Sequence, residues 1–323
     1  MIKDKVKHLR AALPDAIRTA RKRTRRSIIR LWLNVARADQ EKRLRAERAL
    51  RGREQLRLLQ RSDAVVVSYA KSGRTWLRVM ISRLYQQIYE LPDDTVLEFD
   101  NFHHMDRRIP CLFFTHDEYI REFTGNTGTK VDFYGKKVLF MVRDPRDVAV
   151  SQFFHWRYRT KPWKRGLNFH PSNDTDCTLF DFVLGKSSGL PRVIDFMNTW
   201  AREIGKTRAH EIVRYEDMRN DPQASMTRVA RFLDIPASDN QIREAVAYAA
   251  YENMKQKESE QSFRSSGARL TPGDKANPDS YKVRRAKVGG YRDYFDDTQL
   301  AEIDAMTYER LDPVFDYGKD DLR

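Results

Sequence analysis

A short polar loop between two apolar segments holds the residues whose types and spacing most clearly suggest chemistry. It covers residues 68–76, with the sequence Ser-Tyr-Ala-Lys-Ser-Gly-Arg-Thr-Trp. A turn from a strand into a helix aims backbone N–H groups and the helix N-terminus at one point, where an anion is stabilised. Lys71 adds a positive charge, and the hydroxyls of Ser72 and Thr75 add hydrogen-bond donors. The loop therefore predicts an anion site. It is not a Walker A loop, because its lysine precedes Gly73 instead of following it.

The strand and helix that position this loop belong to a repeating pattern of short apolar runs, each followed by a helical pattern. Strands are predicted over 64–69, 111–115, 137–142 and 211–215. Helices are predicted over 75–89, from Asp144 to about residue 158, and from Asp221 to about residue 233. The last two begin with Asp-Pro, which supplies an N-cap and a favourable first helical residue. This alternation predicts an α/β fold of the P-loop-like, three-layer type, with helices flanking a central, mostly parallel sheet.

The N-terminal 62 residues carry the whole excess of positive charge. The chain has 323 residues and a formal net charge of +14, and residues 1–62 hold 20 Lys and Arg against 6 Asp and Glu, so the remainder is formally neutral. Apolar residues recur at helical spacing within this segment, namely Ile28, Leu31, Trp32 and Val35. The pattern predicts a basic amphipathic helix. We expect residues 1–62 to be a basic helical extension that is dispensable for chemistry, and residues 63–323 to form one domain with no specific affinity for nucleic acid.

Several signals are absent from the sequence. Cys111 and Cys177 are its only cysteines, and neither belongs to a cluster with metal-ligand spacing. No run reaches the roughly 18 apolar residues of a membrane span, and the N-terminus lacks the apolar core of a signal peptide. Residues 255–282 are polar with little periodicity. We therefore expect a cytoplasmic protein without a metal, in which residues 255–282 form a mobile segment.

Four motifs, in order along the chain, resemble those of the PAPS-dependent sulfotransferases. The loop at 68–76 resembles the family's 5′-phosphosulfate loop, usually Tyr-Pro-Lys-Ser-Gly-Thr-Thr-Trp, with Ala70 in place of Pro and Arg74 in place of Thr. The segment 142–151, Val-Arg-Asp-Pro-Arg-Asp-Val-Ala-Val-Ser, resembles the 3′-phosphate motif.

The other two motifs follow later in the chain. Residues 215–217 match the family's Tyr-Glu-Asp signature, and residues 284–295 resemble its closing Arg-Lys-Gly segment, with Ala286 where Gly is usual. The resemblance covers about residues 63–318, so it implies that residues 63–323 form a sulfotransferase domain and says nothing about the extension.

The resemblance implies an enzyme that moves a sulfuryl group from 3′-phosphoadenosine 5′-phosphosulfate (PAPS) to an acceptor hydroxyl or amine, and releases 3′-phosphoadenosine 5′-phosphate (PAP). It assigns the 5′ end of PAPS to Lys71, Ser72, Gly73, Arg74, Thr75 and Trp76. It assigns the 3′-phosphate to Arg143, Ser151, Arg284 and Arg285, and places Trp76 and Tyr215 near the adenine. Lys71 would stabilise charge on the leaving oxygen, and no metal is implied.

The acceptor hydroxyl needs a general base, and His is an efficient one near neutral pH. Phe-Thr-His at residues 114–116 stands where the family has Lys-Thr-His, so the resemblance makes His116 the candidate base and replaces the helping Lys with Phe114. His103 and His104 are the alternatives.

Two other functions compete with sulfuryl transfer. A nucleotide kinase with a degenerate P-loop would also bind phosphates on a strand-to-helix turn, but the Walker A glycine pattern is missing. A protein that tethers membranes or polyanions would act through residues 1–62 alone, which leaves the motifs of the neutral domain unexplained. The acceptor stays open among small molecules, carbohydrates and lipids. The extension is consistent with peripheral contact at an anionic membrane or with a homo-oligomer.

Overall fold

The computed structural model describes residues 39–171, 176–263 and 270–317. The predicted amphipathic helix around Ile28–Val35 lies outside the described residues. Four strands form one sheet: β1 (Ala64–Ser68), β2 (Leu112–Thr115), β3 (Lys137–Val142) and β4 (Ala209–Arg214). Their order is β2-β1-β3-β4, and all three pairings are parallel. The predicted strand bounds are correct to within one or two residues. One of the differences is at the end of β4, where Tyr215 begins a helix instead of ending the strand.

The α-helices of the described residues are α1 (Gln40–Arg61), α2 (Arg74–Tyr89), α3 (Asn101–Met105), α4 (Glu118–Thr124), α5 (Pro145–Arg159), α6 (Pro162–Arg165), α7 (Leu179–Leu184), α8 (Leu190–Glu203), α9 (Tyr215–Asn220), α10 (Pro222–Phe232), α11 (Asp239–Tyr248), α12 (Tyr251–Glu260) and α13 (Asp297–Arg310). Asp144 and Asp221 cap α5 and α10, and each helix begins with the expected proline.

Apolar side chains on both faces of the sheet hold the layers together. Val66 and Leu139 belong to a core with α2, α10 and α11. Val65 and Phe140 belong to a second core with α8 and the end of α1. Neighbouring residues of a strand point to opposite faces, so this division is what a sheet covered on both sides requires. The predicted three-layer α/β fold is confirmed.

Helix α1 packs against the domain along most of its length. Gly52 lies so close to α4 that an added Cβ would be 2.3 Å from the Tyr119 carbonyl oxygen and from the Phe123 Cβ. The Arg48 guanidinium donates to the carbonyl of Gly166 at 2.6 Å, and Leu59 is buried in the core. The second half of the predicted extension is thus in close contact with the domain, and the division at residue 62 stays a prediction.

The segment predicted to be mobile contains ordered structure in its described part. Helix α12 continues to Glu260, so the prediction is wrong for residues 255–260. The buried Glu258 carboxylate accepts from the backbone N–H groups of Lys282 and Val283, and it pairs with Arg159 at 3.1 Å. These hydrogen bonds between residues distant in sequence give the backbone N–H groups of this segment partners that no local sequence pattern predicts.

Candidate active site

The four parallel strands end at one edge of the sheet, and the predicted site residues follow them there. Lys71 follows β1, His116 follows β2, Arg143 follows β3 and Tyr215 follows β4. The chain runs from β1 to its neighbour β2 on one side and later places β3 on the other. Open α/β sheets bind ligands at such a switch point, outside the carboxyl ends of the strands.

The loop between β1 and α2 has the backbone of an anion-binding turn. Lys71 and Gly73 have φ angles of 73° and 90°. A Cβ on Gly73 would lie 2.6 Å from the Tyr215 ring and 2.7 Å from the Met141 methyl, so both the conformation and the space require glycine. No side chain in the described part of the chain caps α2. The first residues of this helix, Arg74 and Thr75, line the adjoining cleft together with Gly73, so the uncapped helix end lies beside it.

A cleft of about 250 Å³ opens beside this turn, and its walls are strongly cationic. Eight of its lining side chains are Lys or Arg: Lys71, Arg74, Arg143, Arg219, Lys282, Arg284, Arg285 and Lys287. Asp147 is the one carboxylate among the described lining residues. Such a donor set suits a ligand with several anionic groups.

The structure brings most of the predicted site residues to this cleft. Those that line it are Lys71, Gly73, Arg74, Thr75, Trp76, His116, Arg143, Ser151, Tyr215, Arg284 and Arg285. Ser72 does not line it and is 2 % exposed. The sequence analysis missed three further cations of the cleft, namely Arg219, Lys282 and Lys287. It assigned ligand contacts from the motifs alone, and the motifs assign none of these three to the ligand.

Asp147 joins the motif that follows β3 to the C-terminal motif. Its carboxylate accepts from Arg143 at 3.0 Å and from the backbone N–H groups of Gly289 and Tyr291 at 3.0 and 2.9 Å. Arg143 also donates to the Lys287 carbonyl at 3.1 Å, while its buried Nε has no partner among the described residues. Arg143 is therefore held in place at the wall of the cleft, and its Nε is a donor that no described residue satisfies.

The C-terminal arginines are oriented by aromatic and acidic neighbours. The Arg284 guanidinium lies 3.8 Å from the centre of the Phe154 ring and pairs with Asp279 at 3.2 Å. Arg285 pairs with Asp293. Both arginines line the same cleft as Arg143, so two segments far apart in sequence supply guanidinium groups to one site.

Aromatic rings form another wall of the cleft. The rings of Trp76 and Tyr215 meet edge to face with centroids 5.8 Å apart. The Trp76 indole N–H donates to the Ala249 carbonyl at 2.8 Å, which fixes the ring. These faces suit a planar heterocycle.

Lys71 lies in a setting that disfavours its charge. Burial, helped by the positive charges of Arg159, Arg143 and Arg284, lowers the pKa of Lys71 to about 7. An anion placed beside it would restore its charged form.

His116 is held as a neutral imidazole. Its Nδ1 lies 2.7 Å from the Ser68 carbonyl oxygen, and its Nε2 lies 2.7 Å from the Arg74 Nη2. A carbonyl can only accept and a guanidinium can only donate, so Nδ1 carries the proton and Nε2 holds the lone pair. Burial and the charge of Arg74 hold the pKa of His116 well below its usual range.

The sulfotransferase domain family model matches residues 61–314. The chain belongs to this sulfotransferase family. Its relatives include cytosolic sulfotransferase 13 of Arabidopsis thaliana, which is 26% identical over 272 residues, a span that covers 77% of each chain. Flavonol 3-sulfotransferase of Flaveria bidentis is 23% identical over 270 residues, with 77% of this chain and 82% of the relative covered.

Solved structures share the fold of this sulfotransferase. A mouse sulfotransferase complexed with PAP matches with a TM-score of 0.52 and 22% identity, covering 80% of this chain and 89% of that one. Retinol dehydratase in a complex with retinol and PAP matches with a TM-score of 0.52 and 17% identity, covering 77% and 81%.

The sulfotransferase has a second histidine at its site that the sequence analysis missed. His155 lines both the cationic cleft and a second cavity beside it. Its buried Nδ1 has no partner in the described structure, and burial with the charge of Lys71 holds its pKa well below the usual range. Helical spacing could have indicated His155 as a site residue, because Ser151 and His155 are four residues apart and share one face of α5.

The two alternative histidines lie elsewhere. His103 and His104 belong to α3, and their Nδ1 atoms contact the carbonyls of Ile109 and Asp100. Neither lines the cleft or the second cavity.

Two features are absent from the described residues. They contain no group of three or more His, Cys, Asp or Glu arranged to hold a metal ion. None of their helices is both long and apolar enough to cross a bilayer.

Proposed function

We propose that this sulfotransferase takes a sulfuryl group from PAPS, passes it to a hydroxyl or amine of an acceptor, and releases PAP. The cleft with eight cationic side chains and one carboxylate carries the proposal, because PAPS has anionic groups at both ends of a nucleoside. The PAP bound in structures of the same fold supports the assignment.

Each end of PAPS has a matching part of the cleft. The turn with Lys71 and the N-terminus of α2 would hold the 5′ end. Arg143 would hold the 3′-phosphate together with Ser151 and the Arg284–Arg285 pair, all of which line the cleft. The adenine would lie against Trp76 and Tyr215.

His116 is the proposed general base. PAPS supplies the sulfuryl group, whose bond to the 5′-phosphate oxygen breaks as a bond to the acceptor oxygen forms. The Nε2 of His116 would take the acceptor proton, and the Ser68 carbonyl keeps the ring in the required tautomer. Lys71, charged beside an anion, would stabilise the departing phosphate oxygen.

Arg74 has to leave His116 before the base can act, since its guanidinium occupies the Nε2 lone pair. An incoming sulfonate is a stronger acceptor for a guanidinium than a neutral imidazole. We therefore assign Arg74 a second role, in which it would turn to the sulfonate oxygens, uncover His116 and supply the cation that Phe114 does not.

Calorimetric binding of PAP and of ADP tests the cofactor assignment. PAP should bind at least about 100-fold more tightly, because ADP leaves the Arg143 side of the cleft without its anion. Arg143→Lys keeps the charge and loses the planar fork, so it should weaken PAP more than ADP. Equal affinities for PAP and ADP would refute the proposal.

The cellular setting is a separate proposal. A cytoplasmic location is supported by the relative described as a cytosolic sulfotransferase. Peripheral contact with anionic membranes through residues 1–62 fits the positive charge of that segment. A homo-oligomer is the competing explanation for the same segment.

A further inference from the structure

A second cavity of about 430 Å³ adjoins the cationic cleft. Ala70, His116 and His155 line both spaces, so the proposed base faces the second cavity as well as the first. The cavity lies between the end of β2, helix α5 and helix α1, which contributes Gln55. Its position makes it the space from which an acceptor would reach His116.

The walls of this cavity are polar. Of its 14 described lining residues, only Ala70 and Phe196 lack a polar group on the side chain. Binding sites for flat apolar molecules are lined mainly by hydrophobic and aromatic side chains. A polyhydroxylated ligand matches these walls better, because it can satisfy their donors and acceptors.

The cavity also has an excess of positive charge. Its two carboxylates are already paired, Glu118 with Arg192 and Asp195 with Arg310. Arg121 and Lys186 line the cavity and form no ion pair with any described residue. Two cations are therefore left to meet a ligand.

A buried amide oxygen points to the same kind of ligand. Gln152 is 7 % exposed and lines the cavity. Its Oε1 has no hydrogen-bond partner among the described residues, while its Nε2 lies 3.4 Å from the His170 ring. Buried acceptors without partners are rare in native proteins, so a donor such as a ligand hydroxyl is expected there.

We propose that this cavity binds the acceptor and that the acceptor is an anionic polyol, such as a sugar that carries a carboxylate or a phosphate. The proposal rests on the proposed sulfuryl transfer and adds the substrate class. Arg121 and Lys186 bind the anionic group, and Gln152 accepts from a hydroxyl. Another hydroxyl faces His116.

A matched set of probes tests this substrate class. Calorimetry on the full chain saturated with PAP would compare p-nitrophenyl β-D-glucuronide, p-nitrophenyl β-D-glucoside and p-nitrophenol. The two glycosides differ only in a carboxylate that replaces a hydroxymethyl group. The glucuronide should bind at least about tenfold more tightly than the glucoside, and p-nitrophenol most weakly.

Substitutions test which residues cause the preference for the glucuronide. Arg121→Gln should weaken the glucuronide about tenfold and leave the affinity for PAP and for the glucoside unchanged. Arg231→Gln, at an exposed arginine that lines neither space, is the control and should change none of these values.

The failures of the two proposals can be told apart. Equal binding of the glycosides, or tightest binding of p-nitrophenol, would overturn the anionic polyol while PAP still binds. A chain that does not bind PAP would overturn the cofactor assignment, and the probes would then be compared on the free protein.

Discussion

Lys71 combines a left-handed backbone with an ammonium group surrounded by other cations. With a pKa of about 7, it is mostly neutral at pH 8 and mostly charged at pH 6 in the free protein. A bound anion favours the charged form, so PAP should bind with uptake of up to one proton at pH 8 and little uptake at pH 6. Titrations in two buffers of different ionisation enthalpy measure this uptake. Lys71→Met should abolish it, and uptake that persists in this variant belongs to another group.

The two neutral histidines at the site can be separated by substitution. His116→Gln should lower kcat at least about 100-fold and change PAP affinity less than about twofold, because a base touches the acceptor. His155→Gln is the matched comparison and should have the smaller effect on kcat. The reverse ranking would assign the base to His155.

Arg74 should control the acid limb of the pH profile. As the proposed base, His116 has to be neutral for activity, and its low pKa keeps the ring neutral until the pH falls well below 6.5. Arg74→Thr removes one cause of the lowered pKa, so the fall of kcat/KM should begin at a higher pH. A profile of kcat/KM for PAPS from about pH 4.5 to 8 checks this shift, because that constant reports the enzyme before the sulfonate draws Arg74 away from His116. An unmoved limb would show that the Arg74 contact at 2.7 Å does not influence the base.

The sequence predicted those cleft-lining residues that belong to contiguous motifs at strand ends. Loop residues such as Lys71 and Arg143 need only a strand and a turn to reach the cleft, and both are local features. The second cavity needs α1, α5 and the segment around Arg121 to meet in space. Those long-range contacts leave no local pattern, so this cavity could not be predicted.

Helices and strands were predicted best where the sequence has a clear capping signal or a clear apolar run. Asp144 followed by Pro145 marked the start of α5, and the apolar run at 137–142 gave the bounds of β3. Helix α12 was missed because its polar residues give no clear apolar stripe, and Glu258 is satisfied only by distant partners.

The contact between α1 and α4 depends on one glycine. Gly52→Ala would place a methyl group 2.3 Å from the Tyr119 carbonyl oxygen, so the helix must shift, at a cost of about 1–3 kcal/mol. The displaced helix carries Gln55, which lines the second cavity. We expect a lower melting temperature and a higher KM for the acceptor, with PAP affinity unchanged.

Gly205→Ala is the control for this substitution, because a Cβ there meets nothing within 4 Å. Scanning calorimetry and steady-state kinetics compare the two variants. Equal behaviour would show that α1 adjusts without cost.

On the scale of the whole molecule, the N-terminal 62 residues divide into two parts. Residues 1–38 contain 12 Lys and Arg against 2 Asp and Glu. Their removal should keep PAP binding and turnover, and it should abolish salt-sensitive binding to phosphatidylserine vesicles. Phosphatidylcholine vesicles are the control.

Removal of residues 1–61 should have a different result. It deletes the buried Leu59 and the cavity residue Gln55, and it uncovers the face of α4 against which Gly52 packs. We expect a less stable protein that turns over its acceptor poorly. Full activity after this deletion would instead show that the whole extension is dispensable for chemistry.

The crowding of eight Lys and Arg side chains at one cleft has a thermodynamic cost that destabilises the folded state. Without a bound anion, these groups repel one another across the cleft, and the segments that carry them come from distant parts of the chain. A polyanion that binds only the folded state removes this repulsion and stabilises the protein by mass action. A higher concentration of free nucleotide should therefore raise the melting temperature of this enzyme as well as its rate.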